Sequence, residues 1–201
     1  MIAKVARTLV MLATAALLAS AHAAVEPGQE APDFKLRDLS GGSASLAQFK
    51  GKTVVLEWNN PNCPFVRKHY GSGNMQGLQQ AGTGKTVWLA INSTSPASGD
   101  FMSAEALKKW VAEQKSAPTH YLLDPDGSVG RLYGAKTTPH MYIINPQGRV
   151  VYAGAIDDKR SSNPDDIPGA TNYVRNALSA LAKGEPVPNA STPPYGCSVK
   201  Y

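Results

Sequence analysis

The chain has 201 residues, with 20 lysines and arginines against 15 aspartates and glutamates, and only two cysteines. Its basic residues are scattered and its net charge of +5 is small, which excludes the concentrated basic surface of a nucleic-acid-binding protein. The length is sufficient for one domain with a full hydrophobic core.

The amino terminus has the pattern of a secretory signal peptide over residues 1–23. Lys4 and Arg7 precede an apolar run, Leu9–Ala19, and residues 21–23 (AHA) form a small-residue cleavage pattern. The run is shorter than the roughly 20 residues that a transmembrane helix needs. We therefore expect an exported protein, periplasmic or secreted, that is not held in a membrane after cleavage.

The first half of the remaining chain combines two strong strand signals with one helical segment. Thr53–Trp58 and Thr86–Asn92 are β-branched and apolar, which is typical of buried strands. Between them Pro64–Gln80 has helical spacing, with an expected break at residues 71–73 (GSG). Upstream, residues 27–43 are interpreted as a polar lead-in that ends in a glycine turn.

The second half continues the alternation and ends in a proline-rich tail. The predicted elements are helices at Ser103–Gln114, Val129–Tyr133 and Thr171–Lys183, a strand at Thr119–Leu123, and a hairpin of Met141–Ile144 with Arg149–Ala153. Such an order favours parallel strands with right-handed crossovers, to which the hairpin adds antiparallel ones. We predict one α/β domain over residues 24–184, with a mixed central sheet flanked by helices, and an extended tail over residues 185–201.

Cys63 falls where the first strong strand passes into a helix. Pro64 suits the first helical position, because the N–H that it lacks would have no partner there. The free N–H groups and the dipole of a helix start favour the thiolate, which is the reactive form of cysteine. In such a sheet, ligands also gather beyond the carboxyl ends of the strands. The pattern therefore indicates redox or nucleophilic chemistry rather than a buried structural thiol.

Cys197 is the natural disulfide partner of Cys63, since an even number of cysteines in an exported protein usually means a bridge. The pair has two interpretations. Cys197 could be a resolving cysteine on a mobile tail, which attacks a mixed disulfide or sulfenic acid formed at Cys63. Alternatively, the bridge could be static and simply tie the tail to the domain.

Several segments resemble the redoxins, the alkyl hydroperoxide reductase/thiol-specific antioxidant branch of the thioredoxin superfamily. The resemblance extends from about Pro27 to Lys183 and implies a thioredoxin-like fold. Gly196–Lys200 (GCSVK) also resembles the carboxyl-terminal signature of a redoxin-like subgroup. The segments that carry the main resemblance are Ala31–Phe34, Gly51–Val55, Cys63–Val66, Thr138-Pro139 and Tyr142–Ile144.

Three departures from related families limit what the resemblance implies about mechanism. The local second cysteine of thioredoxins is absent, because Phe65 and Val66 follow Cys63-Pro64. The threonine that peroxiredoxins carry three residues before their cysteine is Asn60 here. Their arginine near the position of Pro139 is also missing, although Arg67 could supply a positive charge from one helical turn beyond Cys63.

The resemblance implies that Thr138-Pro139 is a cis-proline loop facing Cys63. Its use would be to present the Thr138 backbone as an edge with which an extended substrate chain could pair. The leading hypothesis is therefore a thiol oxidoreductase without a cofactor. It would act on a protein or small-molecule disulfide, or on a peroxide, and would be regenerated by an external thiol.

Two alternatives come from other classes of function. Cys63, His69 and His140 could converge on copper, for which a thiolate and two imidazoles are suitable ligands. Copper-handling relatives carry a further cysteine where this chain has Asn59. The second alternative is a redox-silent binding domain with a structural disulfide. The pair Asp157-Asp158 is interpreted as a solvated loop end rather than an acid/base device.

Overall fold

The computed structural model describes residues 24–81 and 84–201, so the predicted signal peptide lies outside the described residues. The strands are β1 (Lys35–Asp38), β2 (Ser43–Ser45), β3 (Thr53–Trp58), β4 (Thr86–Asn92), β5 (His120–Leu123), β6 (Thr137–Thr138), β7 (His140–Ile144), β8 (Val150–Gly154) and β9 (Cys197–Ser198). Seven of them form one mixed sheet in the order β2-β1-β5-β4-β3-β7-β8, and β6 pairs separately with β9.

The centre of the sheet is parallel and its sides are antiparallel. β3, β4 and β5 run parallel to one another, whereas β7 and β8 continue the sheet antiparallel on one side and β1 and β2 on the other. This arrangement confirms the predicted mixed sheet and the predicted bounds of β3 and β4. β1 and β2 were not predicted: in the sequence KLRD of β1 only Leu36 is apolar, which is too weak a signal for a strand.

Helices cover the sheet where the sequence places them. They are α1 (Pro64–Gly71), α2 (Asn74–Ala81), α3 (Ala104–Glu113), α4 (Ser128–Tyr133) and α5 (Tyr173–Lys183). The expected break separates α1 from α2, with Gly73 in the left-handed region. Ser103 caps α3 by accepting from the Ala106 backbone N–H at 3.2 Å. Within residues 24–81 and 84–201, no helix has the length and apolar character to cross a membrane.

The core lies in layers on the two faces of the sheet. In β3, Leu56 and Trp58 face the layer that contains Tyr133 and Tyr142. Val55 faces the opposite layer, which contains residues of α1, α2 and α5 together with Cys63. Because successive side chains of a strand point to opposite faces, Glu57 shares the face of Val55. The end of β3 therefore delivers the chain to α1 on the face where Cys63 lies.

Candidate active site around Cys63 and Cys197

Cys63 is the residue at which α1 begins. Its backbone is extended (φ −76°, ψ 124°), Pro64 is the first helical residue, and the Arg67 N–H donates to the Cys63 carbonyl at 3.0 Å. The preceding turn is closed by the Cys63 N–H, which donates to the Asn60 carbonyl at 3.0 Å. Only 2% of Cys63 is exposed. The predicted junction is therefore present, but its thiol is covered.

The Thr138–Pro139 peptide bond is cis and its loop lies against Cys63. The Cys63 thiol donates to the Thr138 carbonyl oxygen, with 3.0 Å between Sγ and O. Thr138 is itself buried, and its hydroxyl has no hydrogen-bond partner among the described residues. The loop and the thiol therefore meet through the Thr138 main chain, as the resemblance implied.

Cys197 is brought to the same place by the pairing of β6 with β9. The register sets Thr138 opposite Cys197 and Thr137 opposite Ser198 in an antiparallel pair. Cys63 and Cys197 are both free thiols, so the bridge expected from the cysteine count is not formed in this structure. Burial, followed by the hydrogen bond and the charge of Cys63, raises the pKa of the Cys197 thiol to about 12.

The tail lies against the domain along its last twelve residues, in contrast to the mobile tail that the sequence predicts. The tail first follows the edge of β8. There the Ala153 N–H donates to the Ala190 carbonyl at 2.9 Å, and the Thr192 N–H donates to the Ala153 carbonyl at 3.1 Å. Beyond Cys197, the Lys200 carbonyl accepts from the Ser95 N–H at 2.7 Å. Main-chain and side-chain hydrogen bonds therefore hold the tail against the domain, and no local sequence pattern indicates them.

Tyr195 anchors the tail two residues before Cys197. Its hydroxyl donates to the Asp157 carboxylate, and its ring packs edge-on against Phe65, with centroids 5.8 Å apart. Asp157 is only 1% exposed, so its interpretation as a solvated loop end is wrong. The burial of Asp157 depends on a partner 38 residues further along the chain, which local sequence cannot indicate.

His69 belongs to this anchor and not to a metal site. Its Nε2 lies 3.2 Å from the Tyr195 hydroxyl, and its Nδ1 lies 2.9 Å from the Asn74 amide nitrogen. The amide can only donate, so Nδ1 is the acceptor and the ring proton is on Nε2. Burial and the charge of Lys68 lower the pKa of His69 to about 3, which keeps the ring neutral.

The copper hypothesis is not supported by the geometry. Within the described part of the chain, no three His, Cys, Asp or Glu side chains are grouped so that they could hold a metal ion. Both ring nitrogens of His69 already have partners, and Nδ1 of His140 accepts from the Lys136 N–H at 3.2 Å. Cys63, His69 and His140 therefore do not form the predicted ligand set.

Arg67 contacts the loop before Cys63 rather than the thiol. Its Nε donates to the Pro61 carbonyl at 3.0 Å and its Nη2 donates to the Asn62 side-chain oxygen at 3.2 Å. Its side chain is exposed, at the edge of a cavity of about 420 Å³ that Trp110 also lines. Arg67 thus stabilises the loop that precedes Cys63, and its guanidinium makes no hydrogen bond with the Cys63 sulfur.

Glu57 is a fully buried carboxylate that no sequence motif marks as part of the site. Its Oε1 accepts from the Asn59 amide and from the Tyr70 hydroxyl, each at 2.8 Å, and its Oε2 accepts from Trp88 Nε1 at 2.7 Å. Burial raises the pKa of Glu57, while these donors act in the opposite direction. A single charged residue inside the apolar strand Thr53–Trp58 was the signal that could have revealed it.

Comparison with known proteins places this arrangement in a family. A model of the AhpC/TSA family matches residues 27–153, which is more than half of the chain. The chain belongs to the AhpC/TSA family. Thioredoxin-like protein YneN of Bacillus subtilis (strain 168) is 29% identical over 148 residues, which cover 71% of this chain and 81% of YneN.

Two further relatives of this AhpC/TSA chain extend the comparison. Thiol-disulfide oxidoreductase ResA of Bacillus thuringiensis subsp. konkukian (strain 97-27) is 28% identical over 134 residues, covering 63% of this chain and 68% of ResA. The crystal structure of a conserved protein from Geobacillus kaustophilus is 30% identical, with a TM-score of 0.74 over 87% of this chain and 92% of that one. The sequence resemblance to the redoxins is thereby confirmed.

Proposed function

We propose that this AhpC/TSA chain is an exported thiol–disulfide oxidoreductase in which Cys63 is the nucleophile and Cys197 the resolving cysteine. One observation carries the proposal. The Thr138 carbonyl accepts a hydrogen bond from the Cys63 thiol at 3.0 Å, and Thr138 lies opposite Cys197 in the antiparallel pair of β6 and β9. The names of the relatives, thioredoxin-like protein and thiol-disulfide oxidoreductase, support disulfide exchange ahead of peroxide reduction.

The first step is attack of the Cys63 thiolate on a disulfide R–S–S–R. A bond forms between Cys63 Sγ and one substrate sulfur, the substrate S–S bond breaks, and the other sulfur leaves as a thiolate that takes up the Cys63 proton. In the second step Cys197 attacks Cys63 Sγ and releases the second R–SH. The substrate is thereby reduced to two thiols and the protein is oxidised to a Cys63–Cys197 disulfide, which an external thiol must reduce.

The raised pKa of Cys197 suits it to the second step. Before the reaction, burial, which is the largest cause of the raised pKa, and the interactions with Cys63 keep the Cys197 thiol protonated. Once Cys63 is part of a mixed disulfide, its negative charge is gone, and so is one cause of that raised pKa. Cys197 therefore loses its proton more readily after Cys63 has reacted than before.

The tail contacts support a redox couple ahead of a purely structural bridge. Tyr195 and Lys200 hold the tail through hydrogen bonds to Asp157 and Ser95, so its position does not depend on a disulfide. A couple needs a reduced form that is also folded, and these bonds supply one. The proposal includes export directed by residues 1–23, a catalytic domain over residues 24–184, and residues 185–201 as the segment that delivers Cys197.

The test is a single-turnover reaction of the reduced chain, lacking residues 1–23, with cystine, followed by mass spectrometry. The chain should release two cysteine molecules and acquire a Cys63–Cys197 disulfide. Cys197→Ser should stop at the mixed disulfide on Cys63, and Cys63→Ser should not react. Ser198→Ala, one residue from Cys197, is the control and should behave like the unsubstituted chain. If Cys63→Ser reacts as fast as the unsubstituted chain, the proposal is wrong. Oxidation by hydrogen peroxide but not by cystine would instead identify a peroxidase.

A further inference from the structure

The edge of the Thr138 loop, which an extended substrate would use, is already occupied by the chain's own tail. Thr137 and Thr138 pair with Ser198 and Cys197, and the Val199 N–H donates to the Lys136 carbonyl at 3.1 Å. An extended polypeptide that binds by adding a strand needs this same row of main-chain groups. β9 thus sits where such a polypeptide would lie.

The contact at Gly196 shows how closely the tail covers the loop. Gly196 has φ +140°, and a Cβ atom built on it would lie 2.1 Å from the Thr138 carbonyl oxygen. Only glycine permits this approach. The same oxygen accepts a hydrogen bond from the Cys63 thiol, so the Thr138 carbonyl contacts both the Gly196 main chain and Cys63. A substrate backbone cannot reach that group while Gly196 is in place.

The last residues fasten the tail on the far side of Cys197. The Tyr201 hydroxyl donates to the Ala135 carbonyl at 2.7 Å, and the Arg131 guanidinium lies 4.5 Å from the centre of the Tyr201 ring. Lys200 Nζ lies 3.8 Å from an Asp100 carboxylate oxygen. A polypeptide that pairs with Thr138 would have to break these contacts together, because they hold one continuous segment.

We infer that the tail restricts Cys63 to small-molecule disulfides. The cis-proline loop by itself had suggested that an extended polypeptide substrate could pair with the Thr138 main chain. This inference rests on the proposed function. Cys63 is 2% exposed and Cys197 is half-buried beside the same loop, so on this inference a small disulfide needs only a movement of the Cys197 side chain to reach Cys63. A polypeptide disulfide needs the main-chain edge of residues 136–138 as well, and therefore the release of the whole segment from Gly196 to Tyr201.

The experiment compares cystine with insulin, a polypeptide disulfide, in single-turnover reactions of the reduced chain. The variant lacks residues 199–201 and so keeps both cysteines while losing the fastening beyond Cys197. Lys109→Ala, on the exposed face of α3, is the control. If the tail occupies the edge about nine-tenths of the time or more, truncation should raise the rate with insulin about tenfold or more. The rate with cystine should change much less.

The outcomes separate this inference from the proposed function. If the unshortened chain reduces cystine and insulin equally fast, or if truncation does not raise the insulin rate, the restriction is refuted while disulfide reduction stands. If neither substrate reacts with the unshortened chain, the proposed function is wrong and the inference falls with it. Tyr201→Ala, which removes one fastening without shortening the chain, should also raise the insulin rate. It provides the decisive comparison if the truncated chain does not fold.

Discussion

Cys197 lies directly opposite Thr138 in an antiparallel pair of two-residue strands. Cys197 is 134 positions beyond Cys63 in the sequence. The pairing nevertheless places Cys197 beside Thr138, whose carbonyl accepts a hydrogen bond from the Cys63 thiol. The tail thus places a second thiol near Cys63 from a distance, whereas thioredoxins keep theirs three residues after the first. The consequences of this arrangement can be measured at Gly196, Tyr195, Glu57 and His69.

Gly196→Ala should destabilise the folded chain because the new Cβ would meet the Thr138 carbonyl oxygen at 2.1 Å. Strain at a positive φ, together with displacement of β9, is expected to cost about 1–3 kcal/mol. Gly41→Ala is the matched control: Gly41 also has a positive φ, +112°, but nothing lies within 4 Å of its Cβ position. Urea unfolding of both variants measures the difference, and equal losses would show that the Thr138 contact contributes nothing.

Tyr195→Phe should slow the attack of Cys197 on the mixed disulfide while leaving the first step at Cys63 intact. The substitution keeps the ring against Phe65 but removes the hydroxyl that joins the tail to Asp157. Stopped-flow mixing with cystine should show the mixed disulfide accumulating. Tyr173→Phe, at the start of α5, is the control. Unchanged kinetics of the second step in Tyr195→Phe would mean that this anchor does not position Cys197.

Glu57→Gln should cost about 3 kcal/mol of unfolding free energy, because it brings an amide N–H₂ group among donors that need an acceptor. Asn59, Tyr70 and Trp88 all donate to this carboxylate. Glu113→Gln is the matched control on a side chain that is 57% exposed, and it should change stability by no more than about 0.5 kcal/mol. Equal effects in the two variants would contradict the structural role of Glu57.

The stability of the chain should fall as the pH falls below 6.5, through His69 and His140. Burial lowers the pKa of each to about 3, whereas both titrate near 6.5 in the unfolded chain. Between these values the unfolded state binds a proton that the folded state does not, so stability present above pH 6.5 is lost on acidification. At pH 5 the loss is about 2 kcal/mol for each histidine.

Urea unfolding at pH 7.5 and pH 5.0 tests this dependence, with His69→Gln compared against the unsubstituted chain. The variant should lose about 2 kcal/mol less than the unsubstituted chain over this range. The comparison isolates the surroundings of His69, because ionisable groups that are remote from His69 and Asp157 contribute equally to both proteins. A pH dependence unchanged by His69→Gln would show that the ring takes up its proton in the folded state as readily as in the unfolded one.

Much of the fold could be predicted because its central elements have strong local signals. β3 and β4 occur at the predicted residues, and Cys63-Pro64 begins a helix because proline fits that position. The cis geometry at Thr138-Pro139 followed from the family resemblance alone. These features depend on short stretches of sequence, in which hydrophobic patterning or a motif decides the local structure.

The contacts around Cys63 and Cys197 could not be predicted, because they depend on pairs of residues that are distant in the sequence. β6 and β9 have two residues each, too few to show a period of two, and neither exists without the other. Asp157 is polar in sequence but buried in the fold, since Tyr195 covers it. A proline-rich tail has no periodicity to suggest that it packs on the domain, so the contacts of this tail could not be expected from the sequence.

The reduction potential of the Cys63–Cys197 pair tests the central claim most directly. It is measured by equilibrating the chain that lacks residues 1–23 with glutathione or dithiothreitol buffers and counting free thiols by mass spectrometry. A redox couple should have a potential above about −300 mV, in the range of known oxidoreductases. A potential well below about −300 mV, together with equal losses of stability in Cys63→Ser and Cys197→Ser and no disulfide reduction, would show a structural bridge and contradict the account.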